Sequence, residues 1–211
     1  GLVNYSLEIS TSIDFSVASN IIYNRTNISS LVNANSTNFT INFTLDVDRP
    51  YWWRVIAYDA TSFSAYSNAT NFTLQSYVNF SLPIRNVDFG NATLGAQNDT
   101  VDEVPRAFHL QNDGNILINI SVTSTRLFLG PSVDYPTPNY RFKARINESD
   151  AFNSSNSTMN WTNFSLTSLR MDILDLNWTA EKDDARIDVN ITVPLDEPAG
   201  LRNATVTFTV P

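Results

Sequence analysis

The most informative feature of this chain is the setting of its asparagines. Of the 26 asparagines, 20 stand in the triplet Asn-x-Ser or Asn-x-Thr with x other than proline. Chance placement among the 43 serines and threonines of the 211 residues would give about 5 such triplets. The triplet is the acceptor sequence for N-linked glycans. We therefore expect a chain that meets a glycosylation machinery outside the cytoplasm.

The acceptor triplets also constrain the fold, because their middle residue is usually apolar. Successive side chains of a β-strand point to opposite faces, so the Asn and the Thr of a triplet share one face and the middle residue lies on the other. Residues 38–45 read Asn-Phe-Thr-Ile-Asn-Phe-Thr-Leu and alternate in this way throughout. The pattern predicts strands with an inner apolar face and an outer face that bears glycans. Further triplets of this kind stand at Asn71, Asn79, Asn119, Asn163, Asn177 and Asn190.

We predict that most of the acceptor asparagines are glycosylated. Two close pairs, Asn24 with Asn27 and Asn153 with Asn156, are expected to compete for the space that one bulky glycan needs. The predicted glycosylation sites are Asn4, Asn24, Asn27, Asn35, Asn38, Asn42, Asn68, Asn71, Asn79, Asn91, Asn98, Asn119, Asn147, Asn153, Asn156, Asn160, Asn163, Asn177, Asn190 and Asn203.

Composition argues against several other classes of protein. The net charge is −8, with two lysines against eleven arginines, and no basic run could follow a phosphate backbone, so no nucleic-acid partner is expected. Cysteine is absent, so stability must come from packing or assembly rather than from disulfides. No apolar run reaches the roughly 18 residues of a membrane span, and residues 1–4 do not resemble a signal peptide. We expect a processed, exported chain of the kind typical of archaeal surface proteins.

Alternation of apolar and polar residues recurs along the chain, and helical periodicity is nearly absent. Short runs rich in Phe, Val, Ile and Thr, separated by Asn, Asp, Ser, Gly and Pro, predict an all-β protein of the β-sandwich type. Residues 166–176 carry Leu and Ile at a spacing that suits either a short helix or a strand. The predicted strands are Val3–Ile9, Asn38–Asp46, Tyr51–Tyr58, Ala69–Leu74, Val78–Leu82, Ile116–Val122, Tyr140–Ile146, Ala185–Val193 and Thr205–Val210.

Three motifs in the first third of the chain are similar to those of a known family. Residues 5–16 read Tyr-Ser-Leu-Glu-Ile-Ser-Thr-Ser-Ile-Asp-Phe-Ser, residues 51–59 read Tyr-Trp-Trp-Arg-Val-Ile-Ala-Tyr-Asp, and residues 64–68 read Ser-Ala-Tyr-Ser-Asn. These motifs resemble fibronectin type III domains of archaeal and bacterial surface proteins, over residues 4–74. Strand alternation independently predicts a core face in the second motif. Its members are Tyr51, Trp53, Val55 and Ala57.

In that family these motifs belong to the third strand onward, so the first two strands would precede Asn4. A sandwich that lacks two strands exposes an open sheet edge and an apolar groove, which invites pairing with another strand. Three explanations stay open: a truncated chain, a neighbouring subunit that supplies strands, or a diverged but complete domain. The candidate donor strands are Leu2–Ile9, which we favour because it is terminal, and Ala204–Val210.

A second β domain is expected after residues 75–77, because a chain of 211 residues is long enough for two cores. We therefore assign one domain to residues 1–76 and another to residues 77–211. Residues 87–95 and 108–115 resemble the opening strands of archaeal surface immunoglobulin-like domains. The resemblance implies a second sandwich.

Two turns are predicted in this second domain. Asn112-Asp113-Gly114-Asn115 predicts a hairpin, because Asp-Gly favours positive φ between two apolar runs. Residues 191–210 predict two closing strands around a turn that contains Pro198 and Gly200.

Side chains that carry catalysis are scarce. His109 is the only histidine and there is no cysteine, so neither a catalytic triad nor the usual zinc site can be built. We predict no enzymatic activity and assign no catalytic or metal-binding residue.

Two weaker binding signals stay open. Acidic stretches at residues 46–48, 98–103 and 181–184 could ligate calcium, although none has the spacing of a known calcium loop, so no cofactor is assigned. The aromatic residues Trp52, Trp161 and Trp178 could stack on sugars. Two of them are triplet middles, a position that suits a core.

Together these features predict a structural, heavily N-glycosylated protein located outside the cell or on its surface. The expected partners are other copies of the chain, assembled into a filament or a surface layer with strand exchange between subunits. One alternative is an adhesin or carbohydrate-binding module of a larger surface protein, since this kind of fold serves many functions. Another is the noncatalytic accessory region of a secreted hydrolase.

Overall fold

The protein is all-β in the computed structural model, which describes residues 4–29, 39–59, 61–130, 134–167 and 170–211, with only the backbone of residues 25–27 and 29. One short 3-10 helix, Ala18–Asn20, is the exception within these residues. The strands are β1 (Asn4–Ser10), β2 (Ile21–Ser29), β3 (Pro50–Tyr58), β4 (Thr70–Thr73), β5 (Phe80–Ile84), β6 (Gln97–Asp99), β7 (Phe108–Asn112), β8 (Ile118–Ser124), β9 (Tyr140–Ile146), β10 (Thr162–Asn163), β11 (Ile173–Leu176), β12 (Asp184–Thr192) and β13 (Val206–Thr209).

The chain divides into two compact units, residues 1–76 and residues 77–211, here called unit 1 and unit 2. Unit 1 contains one antiparallel sheet in the order β2-β1-β3-β4. Strand β1 lies in the middle, paired with β2 on one side and with β3 on the other. The N-terminal run that we favoured as a donated strand is thus held on both edges within its own sheet, which argues against its donation.

The first long alternating run does not form a strand over its described part, residues 39–46. Its burial nevertheless alternates as predicted: the apolar side chains are half-buried and the polar ones between them are exposed. The rings of Phe39 and Phe43 lie 5.7 and 4.9 Å from the ring of Tyr23 on β2. The segment thus packs on the sheet through side chains, although its described residues do not form a strand. Strand β2 itself was not predicted.

Unit 2 has a sandwich-like arrangement of two antiparallel sheets. The larger sheet has the order β10-β9-β12-β7-β5, with β6 also paired to β12, and the smaller has the order β11-β8-β13. Alternating inward side chains of both sheets form one apolar core, as the sequence pattern predicted. Its fully buried members include Leu110, Ile120, Phe164, Ile173, Leu176 and Ile187.

The predicted hairpin at residues 112–115 is wrong, because β7 and β8 belong to different sheets. Neither Asp113 nor Gly114 has positive φ. The buried Asn112 amide organises the crossing instead: its Nδ2 donates to the carbonyl oxygens of Ile116 and Leu176 at 2.9 and 2.8 Å, and its Oδ1 accepts from the Gly114 N–H. Glycine is needed for space, since a Cβ at Gly114 would lie 2.4 Å from the Tyr77 carbonyl oxygen.

The ambiguous segment before residue 176 contains the strand β11 over Ile173–Leu176. Ile173 pairs with Ile120 and Leu176 with Ile118, so three steps on β11 match two on β8. This is a β-bulge, and it includes Asp175 at φ +56°. The bulge places two core residues three positions apart, which is why the spacing resembled a helix.

The connection between β12 and β13 also crosses from one sheet to the other. The buried carboxylate of Glu197 fixes it by accepting hydrogen bonds from the N–H groups of Leu129 and Gly130 and from Arg202. Burial raises the pKa of Glu197, but the bonds from Arg202 and the two N–H groups outweigh it and hold the pKa below its ordinary value.

This geometry predicts a pH-dependent effect of Glu197→Gln. A depressed carboxylate pKa stabilises the fold above the ordinary glutamate pKa, and the contribution is lost as the pH falls through the folded value. We expect the substitution to lower the unfolding free energy of unit 2 by about 1–3 kcal/mol at neutral pH. Denaturant unfolding at neutral and acidic pH checks this. A difference between the variant and the parent that is the same at both pH values would contradict it.

Candidate functional site

The acceptor asparagines are mostly on the surface. Seventeen have described side chains, of which eleven are exposed, five are half-buried and one, Asn190, is buried. Asn27, Asn35 and Asn38 lie outside the described side chains. The exposed acceptors are Asn24, Asn42, Asn68, Asn71, Asn79, Asn91, Asn98, Asn147, Asn156, Asn160 and Asn203, and the half-buried ones are Asn4, Asn119, Asn153, Asn163 and Asn177.

In the unit 1 sheet, three acceptors lie on one face. Asn4 is directly opposite Tyr58, Asn24 is opposite Glu8, and Asn71 is opposite Trp52. Directly opposed residues share a face, and residues 52, 54, 56 and 58 alternate onto the same side of β3. We call this side, defined by Asn4, Asn24 and Asn71, the acceptor face.

A polar cluster closes the centre of the acceptor face. The buried Glu8 carboxylate lies 2.7 Å from Arg54 Nε and accepts a hydrogen bond from the Tyr66 hydroxyl at 3.2 Å. The Arg54 guanidinium lies over the rings of Phe15 and Tyr66, at 4.3 and 3.7 Å. Burial and the Glu8 charge raise the pKa of Tyr66. The charges of this face are thus paired within it.

The opposite face of the sheet is apolar. Tyr5, Leu7 and Ile9 lie directly opposite Ala57, Val55 and Trp53 respectively. No acceptor asparagine is among the described strand side chains on this side, which we call the apolar face.

The apolar face is only partly covered. Register confirms that Tyr51, Trp53, Val55 and Ala57 share it, but only Tyr51 is buried, at 2% exposure, whereas Trp53 is 36% exposed. The expectation of a buried Trp53 is therefore wrong. The described residues of the chain leave this ring accessible.

Buried apolar side chains are distributed unevenly between the units. Among the described residues, unit 1 contributes three, Ile9, Phe15 and Tyr51, and unit 2 contributes twenty. Unit 2 therefore has a core of the size expected for an independent domain. Unit 1, as described, does not.

The close acceptor pair at residues 153 and 156 differs in exposure. Asn156 is exposed, whereas Asn153 is half-buried and its Nδ2 donates to Asp175 at 3.4 Å. The Asn156 triplet is restricted in another way, because it ends at Thr158, which is buried and donates to Asp172 Oδ1 at 3.0 Å. Each triplet of the pair is therefore partly closed in the folded unit.

The acidic stretches do not converge on a cation site in the described part of the chain. No group of three His, Cys, Asp or Glu side chains there has the geometry to hold a metal ion. Their oxygens have other partners: Asp46 pairs with Arg49, Asp48 accepts from the Ser76 N–H, and Glu103 pairs with Arg145. The calcium hypothesis therefore has no geometric support at these residues.

His109 lies on β7, with its Nε2 2.5 Å from Asp184 Oδ2 on β12. Burial raises the pKa of Asp184, and the neighbouring His109 opposes the shift. The contact ties two neighbouring strands of the larger sheet. The absence of enzymatic activity stays a prediction.

The three tryptophans considered as sugar platforms are all half-buried. Trp161 lies beside two cations, with Lys143 Nζ 4.8 Å and the Arg141 guanidinium 5.9 Å from its ring. Trp52 lies on the acceptor face opposite Asn71. Sugar stacking at these rings stays a hypothesis.

Comparisons with protein-family models, with curated proteins and with solved structures returned no match. Within the residues described, no helix has the length and apolar character needed to cross a membrane.

Proposed function

We propose that this chain is a structural, heavily N-glycosylated extracellular protein that assembles with other copies of itself into a surface filament or layer. The observation that carries the proposal is the division of the unit 1 sheet into an acceptor face and an apolar face. Glycans keep the acceptor face in contact with water, so copies of the chain associate through the apolar face.

The small core of unit 1 gives association a driving force. Burying a large apolar side chain contributes roughly 1.5–3 kcal/mol. Trp53, Val55 and Leu7 are available for this, since all three are at most half-buried. A strand or sheet from a second copy that covers them would complete the apolar core that the described residues of unit 1 leave partly open. On this proposal unit 1 is a partial fibronectin type III-like sandwich and unit 2 is an immunoglobulin-like one.

The C-terminal run is the remaining candidate for a donated strand. Strand β13 pairs only with β8 among the described strands, so it lies at a sheet edge. Its inward residues Val206 and Phe208 are only half-buried. An edge strand with half-buried side chains separates from its sheet at a lower cost than a central strand such as β1.

We expect most of the exposed acceptors to be occupied in protein from its native source. Intact mass before and after enzymatic deglycosylation checks this, because each occupied site adds a complete glycan. A mass within a few sugars of the 23.6 kDa polypeptide would contradict the prediction and leave only a polar β surface.

Electron microscopy of the native protein tests the assembly itself. The proposal requires filaments or ordered layers whose formation depends on protein concentration. Single molecules at every concentration would contradict it and would favour an adhesin or binding module.

A further inference from the structure

Two acceptor triplets pair with each other in the larger sheet of unit 2. Strand β6 runs antiparallel to β12, with Asn98 opposite Ile191 and Asp99 opposite Asn190. The triplets Asn98-Asp99-Thr100 and Asn190-Ile191-Thr192 thus form one strand pair. In one triplet the acceptor amide bonds to the other triplet, and in the other the threonine hydroxyl bonds to β12.

Asn190 is inaccessible in this arrangement. Its side chain is 1% exposed, with Nδ2 donating to the Asn98 carbonyl oxygen at 3.4 Å and Oδ1 accepting from Arg141 Nη2 at 2.9 Å. Its backbone is covered on both edges, by β6 and by β9. A glycan on Nδ2 would have to displace β6 or the Arg141 side chain, so the folded unit cannot hold one there.

In the partner triplet, Asn98-Asp99-Thr100, the threonine is inaccessible. Asn98 is exposed, but Thr100 is fully buried. The Thr100 hydroxyl donates to Asp188 at 3.2 Å and accepts from the Val189 N–H at 3.0 Å. Asp188 is itself fully buried against Arg145 Nε at 3.0 Å. The Thr100 hydroxyl, which the acceptor sequence requires, is therefore not accessible to the transferase in the folded unit.

The glycan occupancy of the two triplets depends on whether folding or glycan transfer comes first. If transfer preceded folding, Asn98 could carry a glycan in the finished protein, because its side chain is exposed. Any chain modified at Asn190, by contrast, could not fold. If folding came first, both triplets would be closed before transfer. If transfer came first, glycan transfer to Asn190 would leave a fraction of the chains unable to fold.

We propose that unit 2 folds before glycan transfer and that pairing of β6 with β12 keeps both Asn98 and Asn190 unmodified. This inference rests on the proposed glycosylation of the chain. It makes folding the step that selects which acceptors the transferase uses. The transferase then acts on a folded protein substrate rather than on an extended chain.

Glycopeptide mapping of the chain made in a glycosylating host tests the order. We expect bare Asn98 and Asn190 alongside glycans on Asn91 and Asn203, which are exposed in the same unit. A glycan on Asn98 with bare Asn190 would overturn the proposed order. Glycans on both would overturn the protection as well. Bare acceptors throughout would overturn this inference and also the proposed glycoprotein, so the two failures are distinguishable.

A pair of variants makes the test specific to folding. Ile187→Asp places a charge in the core at a residue that is 0% exposed and should unfold unit 2, whereas Leu195→Asp changes a residue that is 79% exposed. We expect Asn98 and Asn190 to reach the occupancy of Asn203 in the first variant and to stay bare in the second. Continued absence of glycan in the unfolded variant would overturn the inference.

Thr192→Val supplies a readout that does not depend on recovering an unfolded chain. It removes the acceptor triplet and leaves the Asn190 side chain in place. We expect the same number of glycans, measured by intact mass, and the same folded yield as the parent. A mass lower by one glycan, or a higher yield of folded protein, would show that Asn190 is modified in the parent and would overturn the proposal.

Discussion

Trp53→Lys is expected to abolish assembly while leaving unit 2 folded. Trp53 is 36% exposed on the apolar face, and a charge at this position would have to be buried without a partner when a second copy docks. Loss of the apolar contact alone weakens association by about 10- to 100-fold, since each 1.4 kcal/mol is a factor of ten. Sedimentation velocity over a range of protein concentrations measures the effect.

Ile13→Lys is the matched control, because Ile13 is also in unit 1 and is 67% exposed, in the turn after β1. It removes an exposed apolar side chain outside the sheet and should leave assembly unchanged. If Trp53→Lys assembles like the parent, the apolar face is not the contact. If both variants lose assembly equally, the effect belongs to the net charge of unit 1 rather than to this face.

Alternation in the sequence predicted which residues face inward more reliably than it predicted which elements they form. Residues 39–45 have the predicted burial without forming a strand. Side-chain alternation reports only on which side is apolar, whereas a strand also needs a neighbour to bond its backbone. The sequence carries no local signal for that neighbour.

Long-range contacts explain why the turn at residues 112–115 was wrongly predicted. Asn112-Asp113-Gly114-Asn115 has the composition of a hairpin, yet the Asn112 amide bonds to the carbonyl oxygen of Leu176, far along the chain. The same limit applies at Asp175, whose bulge depends on pairing with β8. Both features are set by tertiary partners that a local pattern does not name.

Side-chain alternation also predicted in outline which asparagines lie on the outer surface. Alternation assigns Asn190 to the side of β12 opposite Ile187 and Ile191, which face the core. The outward side is also covered at this point, because the Arg141 side chain of β9 bonds to Asn190 and the Asn190 amide bonds to the backbone of the neighbouring strand β6. An outward-facing residue on a central strand is exposed only where side chains of the neighbouring strands do not cover it. Asn190 therefore lies on the predicted side of β12, but the expectation that it is accessible there was wrong.

Unfolding is expected in two steps, because the two units differ so much in buried apolar content. The lower transition belongs to unit 1 and should rise with protein concentration, since association stabilises only the state that binds. The upper transition belongs to unit 2 and should not depend on concentration. Differential scanning calorimetry at several concentrations separates them, and a single concentration-independent transition would contradict this view of unit 1.

Phe164→Ala should identify the upper transition. Phe164 is fully buried, and its ring lies 4.3 and 4.7 Å from the rings of Tyr140 and Phe142. Truncating such a residue costs about 3–5 kcal/mol, which lowers the melting temperature of a unit of this size by roughly 10–20 °C. Leu201→Ala, at a residue that is 85% exposed in the same unit, should change it by less than about 2 °C. If Phe164→Ala lowered both transitions together, the units would unfold cooperatively, and the stability of unit 1 would come from within the chain rather than from a second copy.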